Sequence, residues 1–193
     1  MATSTKAAIR AQLLAARRQV SDEVRAAEAL SLAAHVVGLA GSGDTVCGYV
    51  PVGTEPGSTE LLDVLLRAGA RVLLPVALTD EDGTPLPLLW AEYHPGELIA
   101  APFGLREPSG PRLPAATLAQ AGLVLVPALA VDRSGVRLGR GAGFYDRSLP
   151  LRAPDARLIA VVRDAEVVDE LPAEPHDIRM TAALTPGHGL LGW

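Results

Sequence analysis

Cysteine is nearly absent from this 193-residue chain, with Cys47 standing alone. One thiol cannot form an internal disulfide, so a packed core must hold the fold, and a reducing compartment is the expected setting. One cysteine and four scattered histidines give no zinc-ligand spacing. Lysine is as scarce: Lys6 is the only one against sixteen arginines. That bias is of the kind GC-rich coding produces. It still singles Lys6 out, because a compact ammonium and a planar guanidinium are not interchangeable at a phosphate. Basic charge is not in excess either. The net charge of −5 argues against a general grip on nucleic acid. No apolar run approaches the roughly 20 residues that span a bilayer, and the start, Met-Ala-Thr-Ser-Thr-Lys, lacks the apolar core of a secretion signal. A cytoplasmic protein without membrane or nucleic-acid partners is therefore expected, and a monomer is the default. Gly-Lys-Ser/Thr and Gly-x-Ser-x-Gly are both missing, which removes the Walker loop and the hydrolase elbow.

What is present fits one globular domain over residues 1–193, with 49% hydrophobic and 20% charged residues. The most informative stretch runs from Arg137 to Asp146, Arg-Leu-Gly-Arg-Gly-Ala-Gly-Phe-Tyr-Asp. It follows an apolar run, Leu123 to Val131, that reads as a buried strand, and it precedes a short helix from Phe144 that Pro150 curtails. Gly139, Gly141 and Gly143 alternate, so backbone N–H groups can turn toward one anion, with a helix start just beyond. Arg137 and Arg140 offer forks for phosphate oxygens, and Asp146 a hard oxygen for a magnesium ion. The glycines alone fit an ordinary turn equally well. A dinucleotide fingerprint is excluded, since Phe144 stands where its third glycine belongs.

Around this loop the chain reads as alternating helices and strands. Residues Ser4 to Val20 are helical, with Lys6, Arg10 and Arg17 on one stripe. On charge alone that stripe is a solvated face. Ser21-Asp22 opens a second helix to about residue 39, with Val24, Ala27, Leu30, Ala34 and Val37 expected inward. A strand from Thr45 to Val50, a loop holding Glu55, a helix from Glu60 to Ala68 and a strand from Arg71 to Pro75 make a βαβ unit. Glu55 by itself is a solvated loop carboxylate. Leu86 to Tyr93 is the next strand, and with aromatics at only 4%, Trp90 and Tyr93 are either core residues or a stacking surface for a flat ring. Strands at Leu123 and at Arg157 to Val162 follow. Asp177 alone is a turn residue, and Pro186 to Trp193 reads as a tail.

The loop in its context resembles the signature of the 5-formyltetrahydrofolate cyclo-ligase family. The match takes in Pro127, Asp132, Gly135, Arg137, Leu138, Gly139, Gly141, Gly143, Tyr145, Asp146 and Arg147, with Phe144 where the family usually has tyrosine. Pro102 to Pro108 resembles the family's Gly-x-x-Glu-Pro segment. The resemblance implies an α/β fold like that of the ribose-phosphate isomerase and CoA-transferase group, a central mostly parallel sheet with helices on both faces. It implies ATP-dependent conversion of 5-formyltetrahydrofolate to 5,10-methenyltetrahydrofolate, with Mg2+ as cofactor and ATP as co-substrate. Lys6 and Arg10 would then reach ATP phosphates, joined by residues 137–145, that is Arg137, Leu138, Gly139, Arg140, Gly141, Ala142, Gly143, Phe144 and Tyr145. Arg140 and Lys6 would be the catalytic pair. Arg10, Val50, Glu55 and Trp90 would meet the folate together with Arg140, Gly141, Ala142, Gly143 and Phe144, and Asp146 and Asp177 would hold the metal. Two other readings remain: a non-catalytic folate- or nucleotide-binding paralogue, and a kinase-like enzyme acting on another small amide.

Overall fold

Strand β1 (Thr45–Cys47) lies inside a seven-stranded sheet, which the computed structural model describes together with the rest of residues 5–175 and 177–193. Ser4, the expected start of the first helix, lies outside the described residues, as does His176. Parallel to β1 run β2 (Arg71–Val76) on one side and β6 (Leu123–Pro127), β9 (Arg157–Val161) and β11 (Ala182–Thr185) on the other. The edges are antiparallel: β3 (Leu89–Glu92) beside β2, and β12 (Gly189–Gly192) beside β11. Val46, Leu74, Leu125 and Ile159 face one core, and Cys47, Leu73, Val124 and Leu158 the other, as the two-residue period of strands requires.

Helices α2 (Asp22–His35) and α3 (Glu60–Arg67) cover the first face. The second is covered by short 3-10 segments at Ala115–Gln120 and Leu149–Leu151 and by α4 (Phe144–Ser148). A three-stranded sheet of β7 (Ala130–Asp132), β8 (Arg137–Leu138) and β10 (Val167–Val168) carries α1 (Lys6–Arg18), whose Ile9 and Leu13 pack on Ala130, Val136 and Leu138. A ribbon of β4 (Leu98–Ala100) and β5 (Arg106–Pro108) completes the fold. The α/β class and the mostly parallel sheet are as expected. No helix among the described residues is long and apolar enough to cross a membrane.

Three expectations are corrected. Helix α2 turns a different face inward: Val24, Leu30 and Val37 are 49%, 68% and 69% exposed, while Leu32, Ala33 and Val36 are buried. Polar contacts choose that rotation. Arg25 donates to the Arg17 carbonyl, Glu28 pairs with Arg163, and Ser31 donates to the Pro186 carbonyl, each on the inward side. The apolar run Leu123 to Val131 is two strands in two sheets, the chain leaving the main sheet after Pro127. The tail is a strand as well, because Asp164 accepts from the Gly187 and His188 N–H groups and shapes the turn that folds β12 back.

Candidate functional site

Parallel strands deliver their following loops to one edge, and here those loops enclose a cavity of about 540 Å³. Its wall takes Tyr49, Val50, Val52 and Glu55 from beyond β1, Pro75 from β2 with Ala77 and Thr79 from the loop after it, and Pro127 from the end of β6 with Ala128 just beyond. Arg137 and residues 139–146 also line it, and Phe103, Leu105 and Arg106 are among the other lining residues.

The hairpin β7–β8 aims the glycine loop. Buried Asp132 accepts from the N–H groups of Ser134, Val136 and Leu171 and from the Ser134 hydroxyl, at 2.8–3.0 Å. Burial works to raise its pKa, but the Ser134 hydroxyl and the three N–H groups outweigh it and hold the carboxyl below its ordinary range. Gly135 closes the turn at φ 87°, where a Cβ would collide with the Met180 carbonyl. Beyond β8, Gly141 and Gly143 also have positive φ, so the chain can curl before α4. Helix α1 meets this loop: the Arg10 Nε donates to the Gly139 carbonyl at 2.9 Å, and the guanidinium lies against Gly141.

Two ion pairs, Arg137 with Asp146 and Arg140 with Glu55, set the charge beside the glycine loop. Arg137 pairs with Asp146 and lies 5.8 Å from the centre of the Tyr145 ring. The Tyr145 hydroxyl is buried without a partner among the described residues, and burial pushes its pKa up. Arg140 Nε sits 3.0 Å from Glu55 Oε1, and its Nη2 donates to the Val52 carbonyl. Glu55 Oε2 accepts from the Val52 N–H at 2.9 Å. Burial raises the Glu55 pKa, and the Val52 N–H and the Arg140 charge offset only part of that shift.

A glycine loop with two arginines thus lies beside a carboxylate held by one backbone N–H and one arginine, and comparisons with known proteins give the family of the whole chain. The model of the 5-formyltetrahydrofolate cyclo-ligase family matches residues 2–186. The chain belongs to that family. It is 60% identical to a 5-formyltetrahydrofolate cyclo-ligase of Mycolicibacterium smegmatis over 99% of this chain and 98% of that one. It is 33% identical to the Escherichia coli protein of the same name over 74% of this chain and 78% of the other. Among solved structures, the 5,10-methenyltetrahydrofolate synthetase of Aquifex aeolicus superposes with a TM-score of 0.77 at 25% identity, covering 97% and 92% of the two chains. That of Mycoplasma pneumoniae shares the fold with a TM-score of 0.71 at 18% identity, over 93% and 98%.

Within this cyclo-ligase family member, the structure gathers Val50, Glu55, Arg137, residues 139–145 and Asp146 around one cavity, with Arg10 touching the glycine loop. Leu138 is buried under α1 with its backbone in β8. Lys6 is placed otherwise, its Nζ 3.1 Å from Glu174 and 3.2 Å from Asp177. Burial works against its charge, but those two carboxylates outweigh it and raise its pKa. Asp146 and Asp177, expected as a metal pair, are thus each engaged by a different cation. Among the described residues no cluster of three or more His, Cys, Asp or Glu is arranged for a metal.

Trp90 corrects an expectation. It is 1% exposed, paired from β3 with Pro75 of β2 and bridged to Leu113, which puts the indole in the core and not on the cavity wall. Tyr93 is buried too, donating to Asp63. The aromatic rings on the wall are Tyr49, Phe103, Phe144 and Tyr145. Phe103, 64% exposed at φ 62°, faces Phe144 edge-on at 6.0 Å. An aromatic between Pro102 and Gly104 was the available signal for it, and a place at the carboxyl end of β1 was the signal for Tyr49.

Proposed function

We propose that this chain converts 5-formyltetrahydrofolate to 5,10-methenyltetrahydrofolate at the expense of ATP, releasing ADP and phosphate. The carrying observation is the Arg140–Glu55 pair, which joins an anion-binding loop to a ring-recognising carboxylate inside one cavity. Each group occupies the position a ligand would take. On binding, Arg140 turns to the phosphate, and Glu55 accepts paired hydrogen bonds from the amino and amide N–H groups of the folate ring. Phe103 and Phe144 offer flat apolar surface to the rest of that ligand.

The reaction needs an amide oxygen made into a leaving group. The formyl oxygen attacks the γ-phosphorus, an O–P bond forms, and the bond to ADP breaks. N10 then attacks the formyl carbon, loses its proton, and the C–O bond breaks to free phosphate carrying the formyl oxygen. Arg140, Arg137, Arg10 and the backbone N–H groups at Gly141, Ala142 and Gly143 stabilise the charge on the transferring group, so no side-chain nucleophile is needed. Lys6, one turn before Arg10 on α1, reaches the ATP phosphates by exchanging its two carboxylates for them. Mg2+ fits Asp146, which lines the cavity and is half exposed, since magnesium takes one or two carboxylates and completes its shell with phosphate oxygens and water. When bound it would supply positive charge against the phosphates. Asp177 joins it only if Lys6 moves. We place the activity in the cytoplasm, in a monomeric single domain, in line with the lone buried Cys47.

The test is an absorbance assay of the purified protein with 5-formyltetrahydrofolate, ATP and magnesium. A near-ultraviolet methenyl band growing with equimolar ADP supports the reading. A flat trace with both ligands bound marks a non-catalytic binding protein. ADP release that ignores the folate but follows another amide marks a kinase-like enzyme.

A further inference from the structure

Behind the cavity lies a chain of buried ions that neither phosphate nor ring binding uses directly. Arg17, 1% exposed on α1, grips Glu166 with two nitrogens at 2.6 and 2.7 Å, and its Nη2 also donates to the Ala128 carbonyl at 2.6 Å. Glu166 Oε2 accepts in turn from the Arg163 N–H at 2.7 Å. The Arg163 side chain, 7% exposed, meets both oxygens of Glu28 on α2 at 2.8 and 3.0 Å and donates to the Thr54 carbonyl at 3.0 Å. Five separate stretches of chain are thereby tied together.

Two of the gripped groups border the cavity. Thr54 precedes Glu55, and Ala128 is itself on the wall. Packing does not explain this choice of residues, because apolar side chains of similar volume fill such space without the desolvation that charges carry. What apolar side chains cannot do is hold two backbone carbonyls at set positions. The ions also hold both arginines in one orientation, each with a nitrogen left over: Arg17 Nη1 and Arg163 Nη2 have no partner among the described residues. Helix α1 extends the same frame to the glycine loop through Arg10.

The geometry points to Arg163, Glu166 and Arg17 as positioning residues that set the Glu55 loop against the Ala128 wall and so govern how the folate ring is received. The inference rests on the cavity being the folate- and ATP-binding site. In the full-length protein, Arg163→Met and the milder Arg163→Lys and Glu28→Gln are compared with wild type for the KM of each substrate, for kcat, for melting temperature, and for hydrogen exchange over residues 52–57. Arg163→Met is expected to raise the KM for 5-formyltetrahydrofolate about tenfold while the KM for ATP moves less than about twofold. Amides of 52–57 should exchange faster with the rest of the sheet unchanged. Lysine, which keeps the charge but lacks the planar two-nitrogen fork, should recover part of the loss. Parallel changes in both KM values that follow the melting temperature across the three variants would reduce the group to plain structural ballast and overturn the inference. So would a folate KM or 52–57 exchange indifferent to Arg163→Met. If the wild type turns over no folate, the proposed reaction fails, and the exchange measurement still decides whether Arg163 holds the loop.

Discussion

Asp132, the last residue of β7, and Glu55, on the loop after β1, are both largely buried acids, and their surroundings treat them in opposite ways. Asp132 has four donors from its own hairpin and from Leu171, and its pKa is held low. Glu55 has one backbone donor and a half-exposed arginine, and its pKa is pushed up by burial. A carboxylate saturated by backbone N–H groups has no capacity left for a ligand and serves the fold. One whose partner is a half-exposed side chain keeps acceptor sites that a ligand can claim. The two acids therefore differ in how much acceptor capacity they leave for a ligand.

The largest effect should come from removing the half-exposed partner of Glu55. Arg140→Ala is expected to lower kcat by about a thousandfold, the loss of one preorganised charge at a transferring phosphate, with little change in melting temperature. Steady-state absorbance kinetics beside a thermal melt will show it, and a melt that collapses with activity would put Arg140 on the structural side. Asp132→Asn should do the reverse, costing about 2–3 kcal/mol of stability by facing an amide NH2 toward N–H donors. Its pH dependence sharpens the contrast. Because the folded-state pKa is below the unfolded one, Asp132 contributes stability that is present above the ordinary carboxylate range and lost as pH falls through the lowered value. Urea unfolding across acidic pH should thus be steeper in wild type than in Asp132→Asn. Equal slopes would mean the hairpin does not depend on that charge.

Glu55→Gln comes next in size. The raised pKa means that ionising Glu55 slightly opposes folding as pH rises through its ordinary range, so neutralising it should leave stability at neutral pH unchanged or a little higher. Folate KM should nevertheless rise about 10- to 100-fold, a loss of roughly 1–3 kcal/mol from a charged acceptor, with ATP KM nearly constant. An unaffected folate KM would break the pairing of Glu55 with the ring. The smallest effect belongs to Trp90→Phe, which should cost about 1–2 kcal/mol in a chemical melt and leave folate KM alone. A selective rise in folate KM would return the indole to the cavity.

What the sequence revealed follows from distance along the chain. The glycine loop is contiguous, so its donors, arginines and acid could be read in one stretch. Helix starts were equally local, and Ser21 does cap α2 through the Val24 N–H. The rotation of α2 was not local. It carries two apolar stripes, and the choice between them is made by Glu28 reaching Arg163, 135 residues away. Arg17 looked like a member of a solvated stripe for the same reason, its partner Glu166 being 149 residues off. Trp90 was ambiguous because aromatic scarcity cannot tell a core ring from a stacking one, and only the pairing of β3 with β2 settles it. Phe103 and Tyr49 were overlooked because a cavity is assembled from loops, and no single segment shows its wall.

The most direct test of the account follows the formyl oxygen itself. 5-Formyltetrahydrofolate labelled with oxygen-18 in the formyl group is turned over with unlabelled ATP, and the released inorganic phosphate is analysed by mass spectrometry. One oxygen-18 in each phosphate is the predicted result, since the formyl oxygen is phosphorylated and departs with the phosphorus. Unlabelled phosphate formed alongside the methenyl product would contradict it, because ATP would then be spent on water while the ring closed by another route.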